Sequence, residues 1–282
     1  MNVCRTIADV RNKINSLKKE GKRIAFVPTM GALHEGHLTL IKQAHQHGDA
    51  VVASIFVNPE QFGPDEDFDS YPRELEEDLE KCRQQDVAVV FAPERSEVFD
   101  EEYKLTIAIN LLNDHMCGAS RPGFFEGVLL VVNKLFNIIN PDVAVFGQKD
   151  IQQFQIISRM VQEFNHNIDL VMAPIIRAND GLALSSRNAY LSNDERTTAP
   201  GLYRALKYLE KQMSGGVTTP KLLLDHQKSE LEAKGFKIDY LDVFSLKTLQ
   251  PVNTLQNNQK YIIAGAAWLG KTRLIDNILF EL

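Results

Sequence analysis

Two histidines frame a glycine in the string Met30-Gly31-Ala32-Leu33-His34-Glu35-Gly36-His37. An imidazole near neutral pH can donate a hydrogen bond to an anion or carry a proton. Such a pair suits charge that builds on a phosphate and its leaving group. Three residues apart at a helix start, both rings can face the same phosphates. Gly31 and Gly36 let backbone approach a ligand closely, and a helix that begins at Gly36 offers free N–H groups to an anion. Two other readings of these residues stand beside this one. A zinc site of the HExxH type needs histidines four apart on a helix, and these are three apart with Gly36 between them. A plain surface turn is the second. His45 and His47, at the far end of the same helix, read as surface residues.

Three further groups have chemistry to offer. Asn58 and Gln61 are amides, donor and acceptor at once, which suits the hydroxyls and carboxylate of a small polar acid; a loop amide facing water is the alternative. In Gly147-Gln148-Lys149-Asp150, Lys149 can neutralise phosphate charge, while Asp150 can accept from ribose hydroxyls or support a magnesium shell. Gln153, one helical turn on, points back to the same mouth, and a capping pair on the surface is the plainer reading of Lys149 and Asp150. Leu184-Ser185-Ser186-Arg187 places two hydroxyls and a guanidinium together, a phosphate clamp or an exposed loop.

These groups need elements to hold them. Apolar spacing predicts a helix over Thr6 to Glu20, strands at Ile24 to Val27, Ala50 to Val57 and Val87 to Phe91, and a helix over Gly36 to His47. Asn58 to Tyr71 reads as a loop, followed by a helix from Pro72 to about Gln85. Val128 to Ile139 and Asp150 to Phe164 read as helices, Val143 to Phe146 and Ile168 to Val171 as strands. Alternating strands and helices predict a mostly parallel sheet with helices on both faces, and such sheets bind ligands at the strands' carboxyl edge. Beyond Pro174 the pattern changes. Helices over Asp194 to Met213 and Thr219 to Lys234, and strands at Ile238 to Phe244, Tyr261 to Ala264 and Arg273 to Phe280, predict a smaller α+β domain.

Composition bounds the rest. Across 282 residues, 44% hydrophobic and 24% charged is ordinary for a globular chain, and a formal charge of −6 argues against a nucleic-acid coat or a membrane-surface protein. Cys4, Cys82 and Cys117 form no CxxC pair and read as reduced thiols of a cytoplasmic protein. Neither a signal peptide nor a membrane span is expected.

HxGH after a first strand resembles the nucleotidyltransferase superfamily, and Pro28 to His37 (PTMGALHEGH) resembles the pantothenate synthetase family within it. The likeness continues through Phe56 to Gly63 (FVNPEQFG), Tyr71-Pro72-Arg73, Cys117 to Gly123 (CGASRPG), Lys134 to Asn137 (KLFN), Phe146 to Asp150 (FGQKD), Asp180 to Leu191 (DGLALSSRNAYL) and Thr272 to Asn277 (TRLIDN). It departs at Phe124, where the family usually has histidine, and at Gln148, where many relatives have glutamate.

The resemblance implies a Rossmann-like doubly wound parallel sheet over 1–175 that binds nucleotide and pantoate. By the same resemblance, a smaller C-terminal α+β lid domain over 176–282 is expected to close over the nucleotide. It implies ATP-dependent ligation of pantoate and β-alanine through pantoyl adenylate, in coenzyme A biosynthesis, with magnesium carried on the ATP phosphates and no metal ligand assigned directly. Met30 to His37, Gly147 to Asp150, Ile176 and Leu184 to Arg187 would bind ATP, with Ile176 near the adenine. His34, His37, Lys149, Ser185, Ser186 and Arg187 would be catalytic, and Gln61, Gln153 and Asn58 would hold pantoate or β-alanine. A homodimer is expected, with no nucleic acid or membrane partner. Two other functions fit the same phosphate chemistry: a nucleotidyltransferase that keeps the nucleotide on its product, and a nucleotide-binding sensor. The need for β-alanine to release AMP distinguishes the first, and ATP binding without pantoate turnover the second.

Overall fold

The computed structural model describes residues 1–64, 66, 68–100 and 105–282, so Asp65 and Asp67 of the expected loop lie outside the described residues. Its strands are β1 Asn2–Cys4, β2 Ile24–Thr29, β3 Ala50–Ile55, β4 Val89–Phe91, β5 Val143–Gly147, β6 Asp169–Ala173, β7 Phe236–Ser245, β8 Lys260–Leu269 and β9 Thr272–Glu281. Its helices are α1 Ile7–Lys19, α2 Glu35–His47, α3 Leu75–Gln84, α4 Arg95–Val98, α5 Met116–Ser120, α6 Phe124–Ile139, α7 Ile151–Glu163, α8 Asn193–Thr198, α9 Gly201–Ser214 and α10 Lys221–Glu232. No described helix is long and apolar enough to cross a membrane.

Contacts divide the chain into two units. Unit 1 is Met1–Ile109, Pro122–Gln148 and Gln153–Pro174; unit 2 is Asn110–Arg121, Lys149–Gln152 and Ile175–Leu282.

Unit 1 holds a parallel sheet in the order β1-β4-β3-β2-β5-β6. From β2 the chain winds outward through β3 to β4, and from β5 it winds the other way to β6. The reversal lies between β2 and β5, where open α/β sheets bind ligands. β2 pairs with β3 along its whole length, from Ile24↔Ala50 to Thr29↔Ile55. It meets β5 only at Ala25↔Val143 and Phe26↔Ala144. Pro28 brings no N–H to a ladder, and the two strands part toward their carboxyl ends. Val27, Ile41, Ala44, Val51 and Val145 pack with Leu33 and Leu79 into one buried cluster. Burying each of the larger side chains contributes about 1.5–3 kcal/mol.

Unit 2 holds an antiparallel sheet in the order β7-β8-β9. Leu202, Leu206 and Leu209 of α9 pack on Val243, Ile263 and Leu274. The single helix expected over Asp194 to Met213 is two, because Pro200 between α8 and α9 lacks the N–H a continuous helix needs. The helix expected from Pro72 begins three residues later, at Leu75. Arg73 holds the preceding turn by donating to the carbonyls of Phe68, Asp69 and Tyr71. β1, a three-residue edge strand beside Val89–Phe91, is too short to show a period.

Candidate functional site

Met30 to His34 links β2 to α2 in unit 1, beside the sheet's reversal. Gly31 has φ of +82° and Ala32 a φ of +49°, so the chain turns sharply here. A Cβ on Gly31 would sit 2.8 Å from Asp78 Oδ2, and the turn is built around that carboxylate. Ala32 N donates to Asp78 Oδ2 at 2.8 Å and Leu33 N to Asp78 Oδ1 at 2.7 Å. Burial pushes the Asp78 carboxyl up, and the two N–H bonds pull it back. Lys81 Nζ donates to Leu33 O at 2.9 Å. The loop is thus held by α3 through both its donors and an acceptor.

His34 is the N-cap of α2. Its Nδ1 accepts from Gly36 N at 3.1 Å, while His34 N donates to His37 Nδ1 at 3.3 Å. The two imidazoles form a capping box, with ring centroids 4.2 Å apart. This fixes the tautomer by hydrogen bonding: each Nδ1 accepts, so the ring proton is on Nε2. Both rings therefore present Nε2–H donors. The glycine between them is required by packing, since a Cβ on Gly36 would lie 2.7 Å from His34 Cε1. Glu35 is exposed and Met30 half-buried.

Asn58, buried, caps the single 3-10 turn Pro59–Gln61. Its Oδ1 accepts from Glu60 N, and its Nδ2 donates to Gly127 O at 3.1 Å and Gln61 Oε1 at 3.2 Å. Gln61 Nε2 in turn reaches Met30 Sδ. Asn58 thus stands behind Gln61 and orients it. The close approach of α6 depends on Gly127, whose Cβ would fall 1.9 Å from Glu60 O. Gly147 ends β5, Gln148 opens the 3-10 turn Gln148–Asp150, and Gln153 is half-buried in the first turn of α7. Phe124 starts α6 with its ring 4.8 Å from that of Phe125.

The remaining residues lie in unit 2. Leu184 N donates to Ile176 O at 2.9 Å and Ala178 N to Leu182 O at 2.8 Å, so Ile176 to Leu184 is a hairpin turned at Asp180-Gly181. Ile176 and Leu184 are thereby neighbours across it. Ser185 caps the 3-10 helix Ser186–Tyr190, its Oγ accepting from Arg187 N at 3.3 Å. Ser186 and Arg187 are half-buried. Lys149, Ser185, Asn188 and Asp276 line one recess of about 20 Å³. Lys149 Nζ is 4.0 Å from Asp150 Oδ1, and Asp150 is exposed.

Sequence reasoning missed the residues that hold these loops. Asp78 had a readable signal: it falls on the apolar stripe of α3 beside Leu75, Leu79 and Cys82. Asp276, buried and paired with Arg177, had one too, as a charge inside the apolar run Leu274 to Phe280. Lys81 carried none. The three cysteines are unpaired by disulfides and buried; burial pushes the Cys82 thiol up to about 11.

Residues 2–279 match the family described as pantoate-beta-alanine ligase. A pantothenate synthetase of Stutzerimonas stutzeri is 49% identical over 100% of this chain and 99% of its own length. One of Caldicellulosiruptor saccharolyticus is 46% identical over 98% of each. The crystal structure of pantothenate synthetase from Thermus thermophilus matches with a TM-score of 0.89 at 38% identity, covering 99% of both chains. The pantoate-beta-alanine ligase of Francisella tularensis, complexed with beta-gamma ATP and beta-alanine, matches at 0.84 and 35%, covering 99% of this chain and 97% of that one. The chain belongs to the pantoate-beta-alanine ligase family.

Proposed function

We propose that the chain ligates pantoate and β-alanine at the expense of ATP, through pantoyl adenylate. A pantoate carboxylate oxygen attacks the α-phosphorus, and the bond from that phosphorus to the bridging oxygen breaks, releasing pyrophosphate. The β-alanine nitrogen then attacks the activated carbonyl, loses a proton, and expels AMP together with the original carboxylate oxygen. A carboxylate alone is a poor acyl donor because it would have to expel oxide.

The observation that carries this reading is the capping box of two imidazoles on the first turn of α2. Its two Nε2–H donors, set at a helix N-terminus, suit the oxygens of a phosphate that gains charge as pyrophosphate departs. His37 donates a hydrogen bond from its Nε2–H to that phosphate. Met30 to Leu33 and Glu35 to Gly36 form the wall against which the nucleotide lies, as do Gly147 and Gln148. Lys149 and Arg187 neutralise phosphate charge, and the Ser185 and Ser186 hydroxyls donate to it. Ile176 and Leu184, side by side in the hairpin, flank the adenine. Gln61 and Gln153 bind pantoate, with Asn58 as a positioning residue behind Gln61.

Magnesium would come with the triphosphate. That ion is usually bound by one or two carboxylates plus substrate phosphates and water, and Asp150 offers one exposed carboxylate beside Lys149. A homodimer in a reducing cytoplasm completes the proposal; three buried thiols with no disulfide fit that compartment.

The test is incubation with ATP, magnesium, pantoate and β-alanine. AMP and pantothenate should appear in equal amounts, and AMP should need β-alanine. AMP release independent of β-alanine, or nucleotide retained on the product, would overturn the reading.

A further inference from the structure

Thr272 to Asn277 belongs to the family likeness, yet none of its residues has a chemical role in the reaction above. It forms the start of β9, and two of its residues, Asp276 and Asn277, are buried polar groups that meet site residues. Asn277 Nδ2 donates to Lys149 O at 3.0 Å. Asp276 lines the recess that Lys149 and Ser185 share. Its carboxylate takes Arg177 Nη1 at 2.5 Å on Oδ2, and Arg177 Nη2 at 2.8 Å and Asn277 N at 2.7 Å on Oδ1. Three donors and no hydroxyl acceptor among these contacts suit the ionised form. Arg177 also donates to Gly181 O at 3.1 Å and lies with its guanidinium carbon 3.7 Å from the centroid of the Tyr203 ring.

Successive strand residues face opposite sides, so this dipeptide can serve two neighbours. Through Asn277 it holds the backbone of Lys149. Through Asp276 and Arg177 it holds the hairpin that leads into Ser185 to Arg187. Burial pushes the Asp276 carboxyl up, and Arg177, the Asn277 N–H and, least, Lys149 pull it back.

We infer that Asp276 and Asn277 are positioning residues for adenylate formation, with Asn277 acting through Lys149. This rests on the phosphate role given to Lys149 above. Misplacing a charged group by about 1 Å can lower a rate about 100-fold, so the loss of one fixing hydrogen bond should be visible in kinetics.

The experiment is a double-mutant cycle of Asn277→Ala and Lys149→Ala, read as pyrophosphate release in a single turnover and, in parallel, as ATP affinity by calorimetry. Asn277→Ala should slow adenylate formation about 10- to 100-fold and leave pantoate KM unchanged. In the Lys149→Ala background the same change should have no further effect on either readout. Multiplying effects in the cycle would overturn the inference, because a structural role of Asn277 does not pass through the lysine side chain. A Lys149→Ala variant with normal rate and affinity would instead overturn the role of Lys149. Should Asn277→Ala fail to fold, Asn277→Ser in the same cycle separates the same two outcomes.

Discussion

The two groups of site residues are built by different means. In unit 1, the loop from Met30 to His37 is eight consecutive residues held by backbone hydrogen bonds: its own capping box, and the donors and acceptor met by Asp78 and Lys81. In unit 2, Lys149 and Ser185 to Arg187 are far apart in sequence and are held from one distant strand, Lys149 by Asn277 on its carbonyl and the hairpin before Ser185 by the ion pair of Arg177 with Asp276. A loop fixed through its backbone tolerates change in most of its side chains but not in its glycines. A cluster fixed by a nearly buried ion pair depends on both partners, because one left alone is an uncompensated charge.

That contrast can be broken by mutation, and the largest effect is expected in unit 1. His37→Ala should slow pyrophosphate release by about two to four orders of magnitude, while loss of its half of the capping box lowers stability by only about 1 kcal/mol. An unchanged rate would remove the imidazole from the reaction. In unit 2, Arg177→Met leaves the Asp276 carboxylate without its guanidinium, and a loss of about 3–5 kcal/mol in chemical denaturation is expected. Wild-type stability there would show that the pair is replaceable. Asp78→Asn sets an amide N–H₂ against one of two backbone N–H groups; a loss of about 2 kcal/mol should appear in the same assay, together with slower adenylate formation. The smallest effect sharpens the comparison most. Gly36→Ala improves helix propensity, yet its Cβ pushes on the His34 ring, 2.7 Å away at Cε1. Activity should fall about tenfold at unchanged melting temperature, since a shift of one imidazole costs on the order of 1 kcal/mol in transition-state binding. Equal activity would show that the ring position is not set by this packing.

The same contrast explains how far the sequence could be read. β2, its loop and α2 are local: a buried β-branched run, a glycine turn and a capped amphipathic helix each leave a signature within a few residues. The parallel sheet followed from several such units in a row, and so did the change to an α+β pattern after Pro174. What stayed hidden was non-local. That Asp78 clamps a loop more than forty positions earlier, or that Asn277 reaches Lys149, depends on how strands and helices pack. An acidic residue on an apolar stripe signals burial without naming its partner. Asn58 illustrates the limit from the other side: an amide in a polar loop reads either as a ligand contact or as a group facing water, and packing buries it against Gly127 and Gln61. The break at Pro200 was readable from proline chemistry alone, and the apolar periodicity on either side concealed it.

The central claim is that the pantoate carboxylate becomes bonded to the α-phosphorus of ATP. Pantoate labelled with oxygen-18 in its carboxylate tests this most directly, with the products of a complete reaction analysed by mass spectrometry. One labelled oxygen should be found in AMP and none in pyrophosphate. Unlabelled AMP, or label appearing in orthophosphate beside ADP, would contradict it.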